Sequence, residues 1–553
     1  MKKAISILLS LALTLAMAAG CSTAAPRMFE SGDFFYSPAV GGNNSASSGY
    51  AADSGGFGGY AYGSAAPSEY YDDEDWRYAP FDETNEYASA RETPFKDVVT
   101  SPLSTFSASV DTASYSIMRR QIINGYKPES LRIEELVNYF DYSYPAPPPG
   151  SEHPFSVITE ISECPWAPGN MLAMIGIQGA RLQNTEEIAN NIVFLIDVSG
   201  SMDTPDRLPL VIESMKLLVN QLSHKDVISI VTYAGSDRII ADSVPGSEKQ
   251  TLTRLLGNLK AGGSTAGAQG LKTAYELASK NFIEGGNNRI ILATDGDFNV
   301  GLSSVSAIID LVEKERDRGV FISVLGYGMG NLKDTTMEAI ATNGNGNYAY
   351  IDNIQEAKKV LVDEFDSTMF TIAKDVKIQI EFNPETISAY RLIGYETRRL
   401  ENEDFNNDLK DAGEIGSGHS VTAFYELIPV GADVDEGGGS GSVDPLRYSS
   451  TVSTGSDDFM TVKIRYKEPD GDESKLVEHI LGASALERSV SYNFLFASAV
   501  AEFGLIATDS NYKGHSSLAN VLTRAKDAKG TDSYGLRAEF LDLVQLYGRM
   551  VDR

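Results

Sequence analysis

The strongest constraint on this chain is the stretch 192–202, IVFLIDVSGSM. An uninterrupted apolar run rich in β-branched residues stops at Asp197. Such a run fits a strand buried on both faces, as in a parallel sheet covered by helices. The turn after it carries a carboxylate and two hydroxyls at alternate positions: Asp197, Ser199 and Ser201. Gly200 lets the backbone bend, so the three oxygens can converge on one point. Hard cations are held this way, by oxygen ligands with room left for a ligand from outside.

Two further stretches extend the set. Gly262-Gly263-Ser264-Thr265 lies between two helical patterns and offers the Thr265 hydroxyl. Residues 289–296, RIILATDG, form a second buried-type strand that ends in Asp295. In a parallel sheet both strand ends open on the same edge, where ligands of open α/β folds bind. The order DxSxS, isolated Thr, strand-terminal Asp resembles the metal-ion-dependent adhesion site of von Willebrand factor type A domains. That resemblance implies a divalent cation, Mg2+ or another such as Mn2+ or Ca2+. Ser199, Ser201 and Thr265 would hold it directly, and Asp197 and Asp295 directly or through water. The simpler reading, in which each aspartate only caps the turn or helix after it, explains one Asp at a time and not the set.

Around this motif, residues 189–366 alternate between strand and helix patterns. Strands are expected at 192–198, 227–234, 239–244, 289–294, 321–327 and 347–351, and helices at 208–222, 250–259, 266–282, 305–318 and 354–370. This predicts an α/β fold, a Rossmann-like, mostly parallel sheet with helices on both faces. The segments 227–234 and 239–244 are too close for a crossover, so they form a hairpin with one antiparallel edge strand. The glycines of Gly326-Tyr327-Gly328-Met329-Gly330 lack nucleotide-loop spacing. Asp203, Asp206 and Asp297 border the proposed site and read as solvated loop charges.

The first hundred residues are very different material. Residues 1–20 read as an export signal: Lys2 and Lys3, an apolar core, then Ala18-Ala19-Gly20 before Cys21. This resembles a bacterial lipoprotein signal, which implies lipid on Cys21 and anchorage to a membrane outside the cytoplasm. Ala18 departs from the Leu usual there. Residues 21–101 are poor in Val, Ile and Leu and rich in Gly, Ser, Ala and Tyr, with the acidic run 72–75, so they read as a disordered tether. The formal charge of −30 argues against nucleic acid and against anionic lipid surfaces. Cys21 and Cys164 are the only cysteines, which excludes a disulfide framework.

Residues 102–187 mix helices with strands at 106–110, 155–161 and 171–177. Asp111 and Thr112 are expected to cap the first helix. TFSASVDTASYS, RIEELVNYF and ECPW resemble the region preceding the A domain in bacterial YfbK-type von Willebrand factor A domain lipoproteins. The A domain then occupies 188–370, and 371–553 holds alternating strands and C-terminal helices. We read those strands as an antiparallel β-sandwich with a flexible insertion at 437–442. Because 155–177 has the same alternating character, the A domain is expected to be inserted in, or flanked by, this sandwich. Asp404, Asn406 and Asp408 hint at calcium, but Leu409 stands where an EF-hand needs Gly and no Glu follows at its twelfth position.

The five histidines are scattered without zinc spacing, and no nucleophile elbow, P-loop or cysteine-nucleophile signature occurs. The expectation is therefore a binding protein and not an enzyme: an envelope lipoprotein whose metal takes a carboxylate from a protein partner. A structural scaffold with a merely stabilising metal, or a metal-dependent hydrolase, are the alternatives.

Overall fold

The computed structural model describes residues 92–183, 185, 188–264, 267–296, 305–329, 332–432, 454–469 and 471–551. The export signal, Cys21 and the insertion at 437–442 lie outside the described residues. Among the described residues no helix is long and apolar enough to cross a membrane.

Packed chain starts before residue 102, which corrects the tether boundary. Strand β1 (Lys96–Asp97) pairs antiparallel with Tyr390 and Ala389. Phe95 and Val98 beside it are buried. These few large residues are enough to dock the segment, although its average composition is polar. Strand β2 (Leu103–Ser107), helices α1 (Ala113–Ile123) and α2 (Ile133–Asn138), and the hairpin β3 (Phe155–Glu163) and β4 (Met171–Gly179) follow. Asp111 does not cap α1. It accepts from the Tyr348 N–H at 2.9 Å and pairs with Arg398 at 2.5 Å, while Thr112 makes no side-chain cap bond. A buried carboxylate with a guanidinium in reach gains more from that partner than from a helix N-terminus.

The next unit contains β5 (Asn190–Asp197), α3 (Leu208–Gln221), β6 (Val227–Tyr233), β7 (Asp237–Pro245), α4 (Lys249–Gly257), α5 (Gly267–Lys280) and β8 (Asn287–Thr294). It continues with α6 (Val305–Arg316), β9 (Phe321–Tyr327), α7 (Asp334–Asn343), β10 (Tyr348–Ile351), α8 (Ile354–Lys358) and α9 (Phe365–Met369). The sheet order is β10-β9-β8-β5-β6-β7, with β7 the antiparallel edge. The strand β5 is apolar throughout because both faces are covered. Ile192, Phe194 and Ile196 enter one core with Val211 and Met215 of α3. Val193 and Leu195 enter the other with Leu271 of α5 and Ile308 of α6. Each such side chain contributes about 1.5–3 kcal/mol on burial. The helix expected over 354–370 is broken into α8, a wide π-type turn at Lys359–Asp363, and α9. There the Lys359 ammonium reaches Glu364 at 2.7 Å and lies over the Tyr139 ring, contacts that outweigh local helix propensity.

The remaining strands are β11 (Thr371–Phe382), β12 (Ile387–Ile393), β13 (Gly413–Gly416), β14 (Ser420–Pro429), β15 (Met460–Lys467) and β16 (Ser474–Leu481). One sheet runs β1-β12-β14-β4-β3. The other runs β13-β11-β15-β16, with β2 also on β11. A shared core including Phe106, Ile175, Ile378 and Tyr425 fills the space between them. The pairing of β4 with β14, Met171 opposite Leu427 and Gln178 opposite Ser420, makes the α/β unit an insertion between sandwich strands. Asp404 belongs to a short turn, Asn402–Asn406, where it and Glu401 cap each other's backbone N–H groups, so the acidic run is a capped turn. Helices α10 (Tyr492–Ala507), α11 (Leu518–Asp527) and α12 (Leu536–Val551) bury Phe496, Phe503 and Phe540 against Phe140 of the N-terminal segment.

Buried ion pairs fasten these parts together. Arg119 of α1 bonds Asp352, Glu356 and Glu539. Arg132 bonds Glu135 and, at 2.5 Å, Asp334 of α7. Removing one member strands the others as buried charges. Arg132→Ala is expected to lower stability by about 3–5 kcal/mol, read from the denaturant midpoint. A change within experimental error would show that Asp334 and Glu135 are not left as uncompensated buried charges.

His419, between β13 and β14, is half-buried, and its Nδ1 is buried without a hydrogen-bond partner. Burial, helped by the Lys359 ammonium, holds it down to about 3. The unfolded chain takes up a proton near pH 6.5 and the folded chain does not, so this group's stability is whole above pH 6.5 and drains as pH falls toward 3. Partial exposure of the ring screens the effect, so the loss at pH 4 is on the order of 1–3 kcal/mol. His419→Gln is therefore expected to flatten the acid side of the unfolding profile between pH 6.5 and 4, and an unchanged slope would contradict it.

Candidate metal centre

Strands β5 and β8 are parallel neighbours in register, with Ile196 opposite Ala293. Asp197 and Asp295 therefore leave the sheet side by side at its C-terminal edge, and both are fully buried. Asp197 Oδ1 accepts from the Ser199 N–H at 2.8 Å. Asp197 Oδ2 is buried without a well-formed hydrogen bond. The Ser199 and Ser201 hydroxyl oxygens stand 2.9 Å apart. Burial pushes the Asp197 carboxyl up to about 6, against the pull of the Ser199 N–H, and the charge of Asp295 pushes the same way as burial.

The loop that leads to Thr265 is tied to this turn. The Gly200 N–H donates to the Gly263 carbonyl at 2.9 Å, and the Gly262 N–H donates to the Val198 carbonyl at 2.8 Å. Gly263 has φ +90°, a conformation that a side chain disfavours. Thr265 and Asp297 lie outside the described residues. The structure thus brings together Asp197, Ser199, Ser201 and Asp295 and anchors the segment just before Thr265.

One residue at the rim escapes sequence reasoning. Arg207 donates through Nη1 to Asp295 Oδ2 at 2.9 Å and to the Ser201 carbonyl at 2.6 Å, and through Nη2 to the Met329 carbonyl. Its neighbour Asp206 is not a free loop charge, because it pairs with Arg120 of α1 at 2.5 Å. Asp203 is exposed, as expected.

The donor set suits a hard divalent cation: two carboxylates, hydroxyls and a buried Asp197 oxygen without a well-formed hydrogen bond, beside the Tyr233 hydroxyl. Among the described residues that set holds no nitrogen or sulfur ligand. Among the described residues no group of three or more His, Cys, Asp or Glu side chains sits at metal-binding spacing. His153 bonds Tyr466, His479 bonds Thr159, and Cys164 is a buried free thiol.

Comparison with known proteins agrees with the two-part architecture. Residues 191–363 match the family model for the von Willebrand factor type A domain, and 81–174 match the model described as von Willebrand factor. Residues 367–550 match the model described as uncharacterized protein YfbK, C-terminal. The chain is 42% identical over 480 residues to "Uncharacterized protein YfbK" of Escherichia coli (strain K12), covering 85% of this chain and 82% of that one. The chain belongs to the YfbK family of von Willebrand factor type A domain proteins. Among solved structures, the von Willebrand factor type A protein from Catenulispora acidiphila is 14% identical, with TM-score 0.39, over 70% of this chain and 90% of that one. The ArnB paralog VWA2 from Sulfolobus acidocaldarius is 14% identical, with TM-score 0.35, over 72% of this chain and 98% of that one. The inserted unit of this YfbK-family chain is a domain of a type that mediates protein–protein interaction.

Two like charges buried side by side weaken the metal-free YfbK-type chain. Asp197→Asn keeps an acceptor for the Ser199 N–H and removes one charge. In EDTA near pH 8 it is expected to raise the thermal midpoint, in line with a gain of about 1–3 kcal/mol. A lower midpoint would contradict a net cost of the buried Asp197 charge.

Proposed function

We infer that this chain binds a divalent cation, with Mg2+ the first candidate, through Asp197, Ser199, Ser201, Thr265 and Asp295, and thereby captures a protein partner that presents a carboxylate. The observation that carries this reading is the pair of fully buried aspartates at adjacent strand ends, one with an oxygen that lacks a well-formed hydrogen bond. Native interiors seldom leave such an atom poorly satisfied, and here the Tyr233 hydroxyl is at hand to answer it. When bound, the cation supplies an electrophilic position for an outside carboxylate. The protein residues do the rest. Ser199 and Ser201 present neutral oxygens, so the set carries two negative charges and a divalent ion is not over-neutralised. The backbone bonds between 198–200 and 262–263 fix the turn before a partner arrives, which limits the ordering cost of binding. A chain of net charge −30 repels an acidic partner, so a bridging cation would decide whether the two associate.

The setting follows from the N-terminal sequence: Cys21 as the lipidated residue, a membrane anchor facing outside the cytoplasm, and the segment before residue 92 as a spacer. The chain acts as a binding protein of the cell envelope and not as an enzyme.

Added Mg2+ should raise the thermal midpoint of the chelator-treated chain, by the equivalent of about 2.7 kcal/mol at a hundred times the dissociation constant. Asp197→Ala should abolish the shift and also the crosslinking of an envelope partner, while circular dichroism stays native. Partner capture that is identical in EDTA and in Mg2+ would refute metal dependence.

A further inference from the structure

The bonds of Arg207 all lie at the rim of the aspartate pair. It directly precedes α3, where the helix dipole disfavours a positive charge. Its φ and ψ of −120° and −112° are not helical, and its side chain makes no cap bond. The guanidinium instead spans the rim, from Asp295 and the Ser201 carbonyl on one side to the Met329 carbonyl on the other.

The loop after β9 is shaped around this side chain. Gly328 has φ +67°, and a Cβ there would lie 2.3 Å from Arg207 Nε and 2.6 Å from its Cγ. The arginine therefore lies flat on backbone that only glycine can supply. The segment is also held from behind. Asp206 pairs with Arg120 at 2.5 Å, Arg120 donates to the Tyr350 hydroxyl at 2.8 Å, and that hydroxyl donates to the Gly328 carbonyl at 2.8 Å. Arg207 and its cradle are thus two ends of one hydrogen-bonded circuit.

Charge counting sets what happens when a cation arrives. Asp197 and Asp295 offer two negative charges, and the seated guanidinium answers one of them. A divalent ion answers both. Guanidinium and ion together would leave the buried rim with excess positive charge, an arrangement that burial penalises. We propose that Arg207 is the site's resident cation, a latch on Asp295 in the metal-free protein that is displaced from that carboxylate when a divalent ion enters. This rests on the metal reading above. Its consequence is that competition with Arg207 weakens the ion's apparent affinity by the factor that seats the latch.

The test uses the full chain, stripped with chelator, and Mn2+ alone as the probe. Arg207→Met and Arg207→Gln are each expected to bind Mn2+ about tenfold more tightly than the unaltered chain by calorimetry, equivalent to about 1.4 kcal/mol. Equal or weaker binding by folded variants would overturn the proposal and make Arg207 a positioning residue for Asp295. The unaltered chain gives a second readout that needs no variant. Labelling of Arg207 by phenylglyoxal, followed by peptide mass spectrometry, should rise several-fold when Mn2+ is added, and a fall or no change would overturn the latch. Should neither the unaltered chain nor the variants bind Mn2+, the metal reading fails and the latch with it. Mn2+ binding by the unaltered chain with no release of Arg207 sinks the latch alone.

Discussion

Asp197 and Asp295 lie fully buried at the ends of neighbouring parallel strands. Taking a carboxylate out of water costs several kcal/mol even after the surroundings relax, and placing a second one beside it adds repulsion. The fold must carry that cost elsewhere. It does so with a strand, β5, whose alternate side chains fill two separate cores, so the sheet edge cannot drift to relieve the crowding. Everything at the rim answers the same demand for positive charge. Ser199 lends its backbone N–H to Asp197, and Arg207 lends its guanidinium to Asp295.

The sandwich gives this rim a fixed base. Strand β4 leads out to the inserted domain and β11 leads back, and both are central strands of their sheets. Arg119, Arg132 and Arg398 cross between the N-terminal segment, the inserted domain and the strands beyond it. Such pairs contribute geometry more than net stability, because desolvation offsets most of their attraction. Their effect is that α1 and the rim at Asp197 and Asp295 belong to one connected framework, through Arg120, Tyr350 and the loop at Gly328.

Much of this was legible in the residues themselves. The parallel sheet could be read because its strands are apolar on both faces, and the antiparallel edge because too few residues separate 233 from 237 for a crossover. The insertion of the α/β unit into the sandwich was readable from the matching alternation of 155–177 and the strands after 371. Asp197, Ser199 and Ser201 share one turn, and Asp295 ends a recognisable strand, so local pattern sufficed. What escaped depends on distant partners. Arg207 meets Asp295 and Met329 across 88 and 122 positions of sequence, and an arginine in a polar loop carries no mark of such contacts. Asp111 and Asp206 looked like a cap and a solvated charge for the same reason, since Arg398 and Arg120 could not be foreseen. The break in the helix at 359–363 and the docking of Phe95 likewise follow from tertiary neighbours that override local propensity.

Anomalous scattering from a crystal equilibrated with Mn2+ tests the central claim most directly. The account places a single strong peak at the C-terminal edge of the six-stranded sheet, within coordination reach of the Ser199 and Ser201 hydroxyls and of the Thr265 hydroxyl, with Asp197 and Asp295 bound to it directly or through water. A well-ordered crystal with no peak at that edge, or with its peak elsewhere on the chain, would contradict it.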